Sequence, residues 1–473
     1  MYTNHLWRII LIVLLIGSLG TMSSAAAAPA INNYEQSSES LKSVEGGLFQ
    51  QQAAEQCLNS AQLRSTKDSN NILRYVGTEP GNPISQPGMA AQSASPDVAA
   101  RAYLANCGSI FGIQNASSEL ETKLVKDLNG GRSIVRFQQK YQGIPVFAGE
   151  MLIQMDQQRN ILSITNETLT GAVTNTIPDT DATTARQAAL RSVTKHFKAE
   201  QANLWATDPE LWIYDPALIG PASGRSPMLV WRMEVRAGAP PLNVLVLVDA
   251  QRGGVALEFN QIDTIKVPSS KTPSKDERVV NRTGNSSIAL SLGTPLISVY
   301  TMNHSEDDTL LPGTLVCTES NPTACNSDPD AQNAYQYALD TYNYYASING
   351  RDSINGSGMR MISSVHYGTG YQNAFWNGIQ MVYGDGFSSA DDVVGHELTH
   401  GVTDYESGLI YFGQSGAINE SFSDLWGEFV DQTNGRGTDG ALYNWLMGED
   451  IPGFGAIRNM ADPALQRRAR RAR

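Results

Sequence analysis

Asp391-Asp392-Val393-Val394-Gly395-His396-Glu397-Leu398-Thr399-His400-Gly401-Val402-Thr403-Asp404-Tyr405 is the stretch that decides how the chain is read. As a helix it sets His396 and His400 four residues apart on one face, where two imidazoles can reach a single metal ion. Glu397 then stands beside that ion. Zinc bound by two neutral imidazoles and one more protein group keeps a position for water and lowers the pKa of that water toward neutrality, so a neighbouring carboxylate can take the proton. Ser389 with Asp392 three residues on resembles a capping box, and Gly408 offers a stop. Val394, Leu398 and Val402 form an apolar stripe on the side away from the histidines.

A third ligand is offered by Gly416-Ala417-Ile418-Asn419-Glu420-Ser421-Phe422-Ser423-Asp424. Glu420 follows His400 by twenty residues, enough for a loop and a second, antiparallel helix. Asp424 falls one turn after Glu420 and is placed to accept the other ring N–H of His396, which fixes the tautomer of a metal-bound histidine. A metzincin pattern would need Gly at position 403 and His at 406, where the chain has Thr403 and Glu406. A closed structural zinc would favour cysteines.

Together with Asn373-Ala374-Phe375-Trp376-Asn377-Gly378 and Gly448-Glu449-Asp450, these motifs resemble the thermolysin-like family of secreted zinc endopeptidases, from about residue 280 to Leu465. The resemblance implies an α+β catalytic domain with a β-rich N-terminal lobe, a central zinc-binding helix and an α-helical C-terminal lobe. It implies that His396, His400 and Glu420 bind zinc and that Glu397 is the general base. Tyr411 would hydrogen-bond the oxyanion of the tetrahedral intermediate, and Arg458 would grip a substrate carbonyl and orient Glu420. Asn373 and Ala374, on an edge strand, would hold the substrate backbone. Val393, Met447 and Ile457 match an apolar pocket for a bulky hydrophobic residue on the amine side of the cut. Asp392, Asp431, Asn444 and Glu449 match calcium ligands; Asn444 and Leu446 stand where acids are expected, so one Ca2+ rather than a pair is anticipated.

The remaining chain frames this unit. Residues 1–28 read as a secretory signal peptide, with Arg8, an apolar run over 9–16 and small residues before Pro29. Over 473 residues the net charge is −13, which argues against nucleic acid as a partner. Four cysteines suit an oxidising compartment; Cys317 with Cys325 and Cys57 with Cys107 are the favoured pairs among three connectivities. Residues 29–95 are Gln/Ser/Asn/Ala-rich and read as a flexible segment. Residues 96–175 read as a helix plus β-meander, with strands at 134–141, 151–155 and 161–165. Residues 176–265 repeat that grammar, with a helix over 183–198 and strands at 228–235, 242–248 and 255–259. Arg136 to Phe147 resembles the pro-region of the same family, and Met228 to Phe259 its second pro-module. That implies a region acting as intramolecular chaperone and inhibitor, followed by a linker and processing zone at 266–280 and the catalytic domain at 281–465.

In the catalytic unit, Asp328-Pro329 opens a helix closed by Gly350, with Ala331, Tyr335, Ala338 and Tyr342 as its buried stripe. His366 is read as a satisfied core histidine. No histidine follows His400, whereas the family continues through an Asp and a His into a helical lobe. The Arg/Ala run at 466–473 reads as a shifted frame, and without that lobe the apolar faces of the helices bearing Val394 and Ile418 are expected to lose partners. The expected protein is a secreted, extracellular, monomeric zymogen of a zinc endopeptidase acting on protein and peptide substrates, free of the membrane once its signal is removed. The alternative is a catalytically dead form whose pro-region inhibits active relatives.

Overall fold

The computed structural model describes residues 57–58, 63–86, 94–220, 225–238, 241–264, 293–437 and 445–462. The expected signal peptide, the whole 266–280 linker, Asn444 and the Arg/Ala tail lie outside them. Strands β1 (Leu63–Lys67), β2 (Leu73–Thr78), β3 (Leu120–Leu128), β4 (Arg132–Tyr141), β5 (Ile144–Met155) and β6 (Ile161–Glu167) form an antiparallel set. A second set comprises β7 (Leu204–Ala206), β8 (Glu210–Tyr214), β9 (Met228–Gly238), β10 (Pro241–Asp249) and β11 (Val255–Asn260). The two expected modules are halves of one sheet, joined where β5 and β8 pair in parallel, Val146 opposite Ile213 and Phe147 opposite Tyr214.

Each half carries one long helix. α1 (Pro96–Cys107) buries Ala99, Ala100, Tyr103 and Leu104, spaced to share one face, and packs on β4, whose alternate residues Val135 and Phe137 point inward. α2 (Ala182–Phe197) starts at Asp181, whose carboxylate accepts from the Thr184 N–H at 2.9 Å, and lays Ala185, Ala189 and Val193 on Met233, Val235, Val244 and Val246.

Residues 63–86 correct the expectation of a flexible segment over 29–95. The β1–β2 hairpin extends the sheet beside β6, and disulfides form between Cys57 and Cys107 and between Cys317 and Cys325. β1 keeps four of its five side chains exposed, so its sequence lacks an apolar alternation.

In the catalytic part β13 (Ile297–Thr301), β15 (Met361–Val365) and β17 (Met381–Tyr383) run parallel, with β14 (Thr314–Thr318) and β16 (Ala374–Trp376) added antiparallel. Ile297, Val299, Met361, Val365, Met381 and Val382 are all buried, as parallel strands covered on both faces require. α3 (Pro329–Asn349) packs Ala331, Ala334, Ala338 and Tyr342 into this core, with Tyr335 half-buried at its margin. Its cap is as read: Asp328 accepts from the N–H groups of Asp330 and Ala331, Pro329 holds the first position, and Gly350 closes it at φ 63°.

α4 (Asp391–Glu406) and α5 (Gly413–Asn434) complete the described core, with a hairpin of β18 (Leu446–Met447) and β19 (Arg458–Asn459). α4 does not begin at a Ser389 capping box. Ser389 belongs to a preceding 3₁₀ turn, Ala390 is the N-cap, and the first-turn carboxylates take over: Asp392 Oδ1 accepts from Val393 N at 2.6 Å. Nor is α4 amphipathic, since twelve of its residues, Val394 included, are buried. The expected loss of partners therefore does not reach Val394, whereas Ile418 and Phe422 of α5 are exposed.

β16 was expected to be an open edge. Instead β12 (Asp263–Thr264), at the end of the N-terminal region, pairs with it antiparallel, Asp263 opposite Trp376 and Thr264 opposite Phe375. The same region grips the α4–α5 connection. Phe412 meets Phe259 at 5.1 Å between ring centroids, Ile410 and Phe412 pack on the cluster of Phe147, Val230, Leu245 and Phe259, and Lys126 and Arg136 bind Glu406. No helix among the described residues is long and apolar enough to cross a membrane.

Candidate functional site

The site is made by two helices that approach through glycines. A Cβ on Gly427 of α5 would lie 2.4 Å from the Asp392 carbonyl oxygen and 3.1 Å from His396 N, and one on Gly395 would lie 3.0 Å from Gly427 Cα. Any side chain at the crossing would force the helices apart. Their closeness brings Glu420 of α5 up to the histidines of α4.

His396, Glu397 and His400 are fully buried. Nε2 of His400 lies 2.9 Å from Nε2 of His396 and 3.6 Å from Glu420 Oε1, and His396 Nε2 is 4.0 Å from Glu420 Oε2. Donor atoms of the three residues fall within 4.8 Å of one another. His396 Nδ1 lies 2.9 Å from Asp424 Oδ1, an ion-pair distance at which the N–H is not aligned for a hydrogen bond. His400 Nδ1 is 2.8 Å from Asn419 Oδ1 and 3.1 Å from Ser423 Oγ.

This donor set fits zinc. The Asn419 oxygen can only accept, so His400 carries its proton on Nδ1, and the Asp424 carboxylate favours the same tautomer for His396. The two Nε2 lone pairs then face each other across 2.9 Å in a dry interior, an arrangement that a shared cation stabilises. Burial, the main cause, pushes His396 down to about 3 against the opposing charge of Glu420, with Arg458 adding to the effect. Burial, then the neighbouring His396, holds His400 well below its usual range. Both rings are therefore in the neutral form that ligates metal.

Two expected outcomes follow directly. Because the folded pKa values lie below the unfolded value of about 6.5, the unfolded chain takes up protons that the folded chain refuses as pH falls below that value. Metal-free protein should lose about 1.4 kcal/mol per histidine for each pH unit below 6.5; urea midpoints at pH 7.5 and 5.5 read this, and equal midpoints would contradict it. Second, Asn419→Ala should weaken zinc binding about 10–100-fold by freeing the His400 ring, as removal of such partners does. Competition with a chromophoric chelator measures it, and unchanged affinity would remove Asn419 from the site. Asn419 was not singled out in the sequence; its signal is its place beside Glu420, one turn before Ser423 on the same helix.

The other predicted residues divide. The Tyr411 hydroxyl donates to Glu420 Oε1, and its ring lies 5.9 Å from that of His400. Arg458 donates to Asp424 Oδ1 and lies 3.9 Å from Glu420 Oε2, so it braces both acids. Ala374 is buried opposite Tyr383, and the Asn373 carbonyl accepts from Gly384 N at 3.0 Å. Val393, Met447 and Ile457 do come together, but in one fully buried cluster. Met447 and Ile457 meet at the β18–β19 hairpin, where Ile457 N donates to Met447 O at 2.6 Å.

Of the expected calcium donors, Asp392 is buried and accepts from Gly448 N. Burial and the charges of Glu449, Asp391 and Glu428 drive its pKa well up. Asp431 is buried. Glu428, which faces Asp392, was not read from the sequence.

Comparison with known proteins gives three family-model matches, two of them adjacent. The thermolysin metallopeptidase catalytic-domain model covers residues 271–404, its alpha-helical-domain model 407–472, and the fungalysin/thermolysin propeptide motif 121–168. The second extends past Leu465, the expected limit of the resemblance. Thermolysin from Alicyclobacillus acidocaldarius subsp. acidocaldarius is 35% identical over 365 residues, 71% of this chain and 64% of that protein. Bacillolysin from Bacillus cereus is 32% identical over 406 residues, 75% of this chain and 68% of that protein. Among solved structures, the precursor of protealysin, a metalloproteinase from Serratia proteamaculans, is 44% identical over 32% of this chain and 47% of its own, with a TM-score of 0.28. The chain thus spans 64% of the length of the thermolysins it matches. On the identity shared with the bacillolysin and the three family-model matches, the chain belongs to the thermolysin family of metallopeptidases and includes that family's propeptide motif.

Proposed function

We propose that the chain is the zymogen of a secreted zinc endopeptidase. The observation that carries this is the convergence of His396, His400 and Glu420 with Glu397 buried next to His396. A zinc ion held there would supply a Lewis acid that polarises a peptide carbonyl and acidifies a water molecule. Glu397 receives the proton from that water and passes it to the leaving amine. Asp424 and Asn419 hold the two rings in the tautomer that turns Nε2 inward, and Tyr411 and Arg458 keep Glu420 in position. Tyr411, released from Glu420, is near enough to the histidines to donate to a developing oxyanion.

Asn373 and Ala374 would pair with substrate backbone along β16, and Val393, Met447 and Ile457 would form the apolar pocket for a bulky hydrophobic side chain. Asp392, Asp431, Asn444 and Glu449 are proposed to hold one structural calcium, which would offset the charge crowded around Asp392. The inhibited state is supported by β12 on the β16 edge and by the clasp on the α4–α5 connection, because a strand paired with β16 excludes another from the same edge. The inert alternative is not favoured, since ligands and base are all in place.

The test is casein hydrolysis by the zinc-loaded chain before and after limited cleavage of the 266–280 segment. Little or no activity before the cut, and chelator-sensitive activity after it, is expected. A cut, folded, zinc-loaded chain without activity would contradict the reading.

A further inference from the structure

Three separated pieces of sequence meet at the carboxyl ends of the parallel strands. His366 directly follows β15, Asp385 comes two residues after β17, and His304 three after β13. Crevices beyond the carboxyl ends of parallel strands are where open sheets bind ligands. His366 Nδ1 lies 2.6 Å from Asp385 Oδ1, His304 Nδ1 lies 3.5 Å from Asp385 Oδ2, and the two rings are 5.3 Å apart. One donor atom from each residue falls within 4.8 Å of the other two.

The surroundings are those of a metal-bound histidine. His366 Nε2 lies 3.0 Å from Asp328 Oδ2, a carboxylate on the ring nitrogen remote from Asp385. Asp330 Oδ2 lies 3.7 Å from His366 Nδ1 and accepts from Gly386 N at 2.8 Å, which ties the Asp385 loop to the start of α3. His304 N donates to His366 O at 2.8 Å, and both histidines take left-handed backbone angles, φ 63° and 54°, that few non-glycine residues adopt. His304 and Asp385 keep about half of their side-chain surface in solvent, so an ion can enter. A protonated His366 would satisfy Asp385 and Asp328 and leave His304 Nδ1 to the Gly368 carbonyl oxygen at 3.2 Å, whereas a cation between the rings uses His304, His366 and Asp385 together.

We propose that His304, His366 and Asp385 form a second metal site for a first-row divalent ion of the zinc type, with Asp328 orienting His366. Two imidazole nitrogens select zinc, cobalt or nickel over calcium, which takes oxygen ligands. Bound there, the ion clamps the ends of three strands to the start of α3.

The experiment uses the full chain carrying Glu397→Gln, stripped by chelator, reloaded with zinc, desalted and assayed for metal content. Two equivalents are expected; adding His304→Ala or Asp385→Asn should leave one, adding His400→Ala should leave one, and His304→Ala with His400→Ala should leave none. His304 is half-exposed, so its truncation keeps the fold, and circular dichroism checks this. A single equivalent that persists in His304→Ala and vanishes in His400→Ala overturns the second site. A single equivalent that vanishes in His304→Ala and persists in His400→Ala would instead overturn the active-site reading.

Discussion

Glu397→Gln is expected to remove hydrolysis of casein from the activated protein while leaving zinc bound. The side chain is fully buried on α4, adjacent in sequence to the proposed ligand His396, and its charge is felt by Tyr383, Tyr371 and Arg458. Glutamine preserves the volume and can still accept a hydrogen bond, so packing and the three metal donors stay as they are. It cannot take up a proton near neutral pH. General acid–base groups contribute roughly 10²–10⁴-fold in rate, and here one carboxylate is assigned both the abstraction and the delivery of the proton, so a loss at the upper end is expected. Casein turnover and zinc content measured on the same preparation check it. A variant that cleaves at the wild-type rate would remove Glu397 from the mechanism.

Gly427→Ala should have the next largest effect, although no ligand is touched. In an isolated helix alanine is favoured over glycine by about 1 kcal/mol. At this crossing the added carbon would meet the Asp392 carbonyl oxygen at 2.4 Å, and both partners are helix backbone that has no rotamer to yield. α5 must move away from α4, and Glu420 moves with it from His396 and His400. Overpacking of this kind costs about 1–3 kcal/mol in stability. Because the strain falls on the helix pair that holds the donors, zinc affinity should drop together with the urea midpoint. An alanine variant with unchanged midpoint and zinc affinity would show that the helices are not as close as described.

The convergence of the proposed zinc donors is legible because helical spacing alone places His396, Glu397 and His400, and because Glu420 and Asp424 repeat that spacing one helix later. α3 was equally readable, since Asp328, Pro329 and Gly350 each do what their backbone chemistry favours. β1 and β3 were not, because β1 exposes all but its first residue and β3 carries Lys126 among its inward positions and Val125 among its outward ones, which blurs the apolar alternation. β12 has two residues and therefore no period to detect; only its partner strand defines it. Val393, Met447 and Ile457 were recognised as an apolar group, but whether such a group is open or covered depends on where the β18–β19 hairpin lies, which local sequence does not encode. Sequence alone reads His366 as a core histidine, because its partners His304, Asp328 and Asp385 come from three other loops that meet only in the fold.

The central claim is that two imidazoles and one carboxylate share a single zinc ion that still has room for water. Zinc K-edge X-ray absorption on the His304→Ala chain at one equivalent of metal reads this coordination directly. The account predicts two imidazole nitrogens at about 2.0–2.1 Å and light oxygen donors at about 2.0–2.2 Å, with no sulfur. A sulfur shell near 2.3 Å, or a shell of oxygens without imidazole scattering, would contradict it.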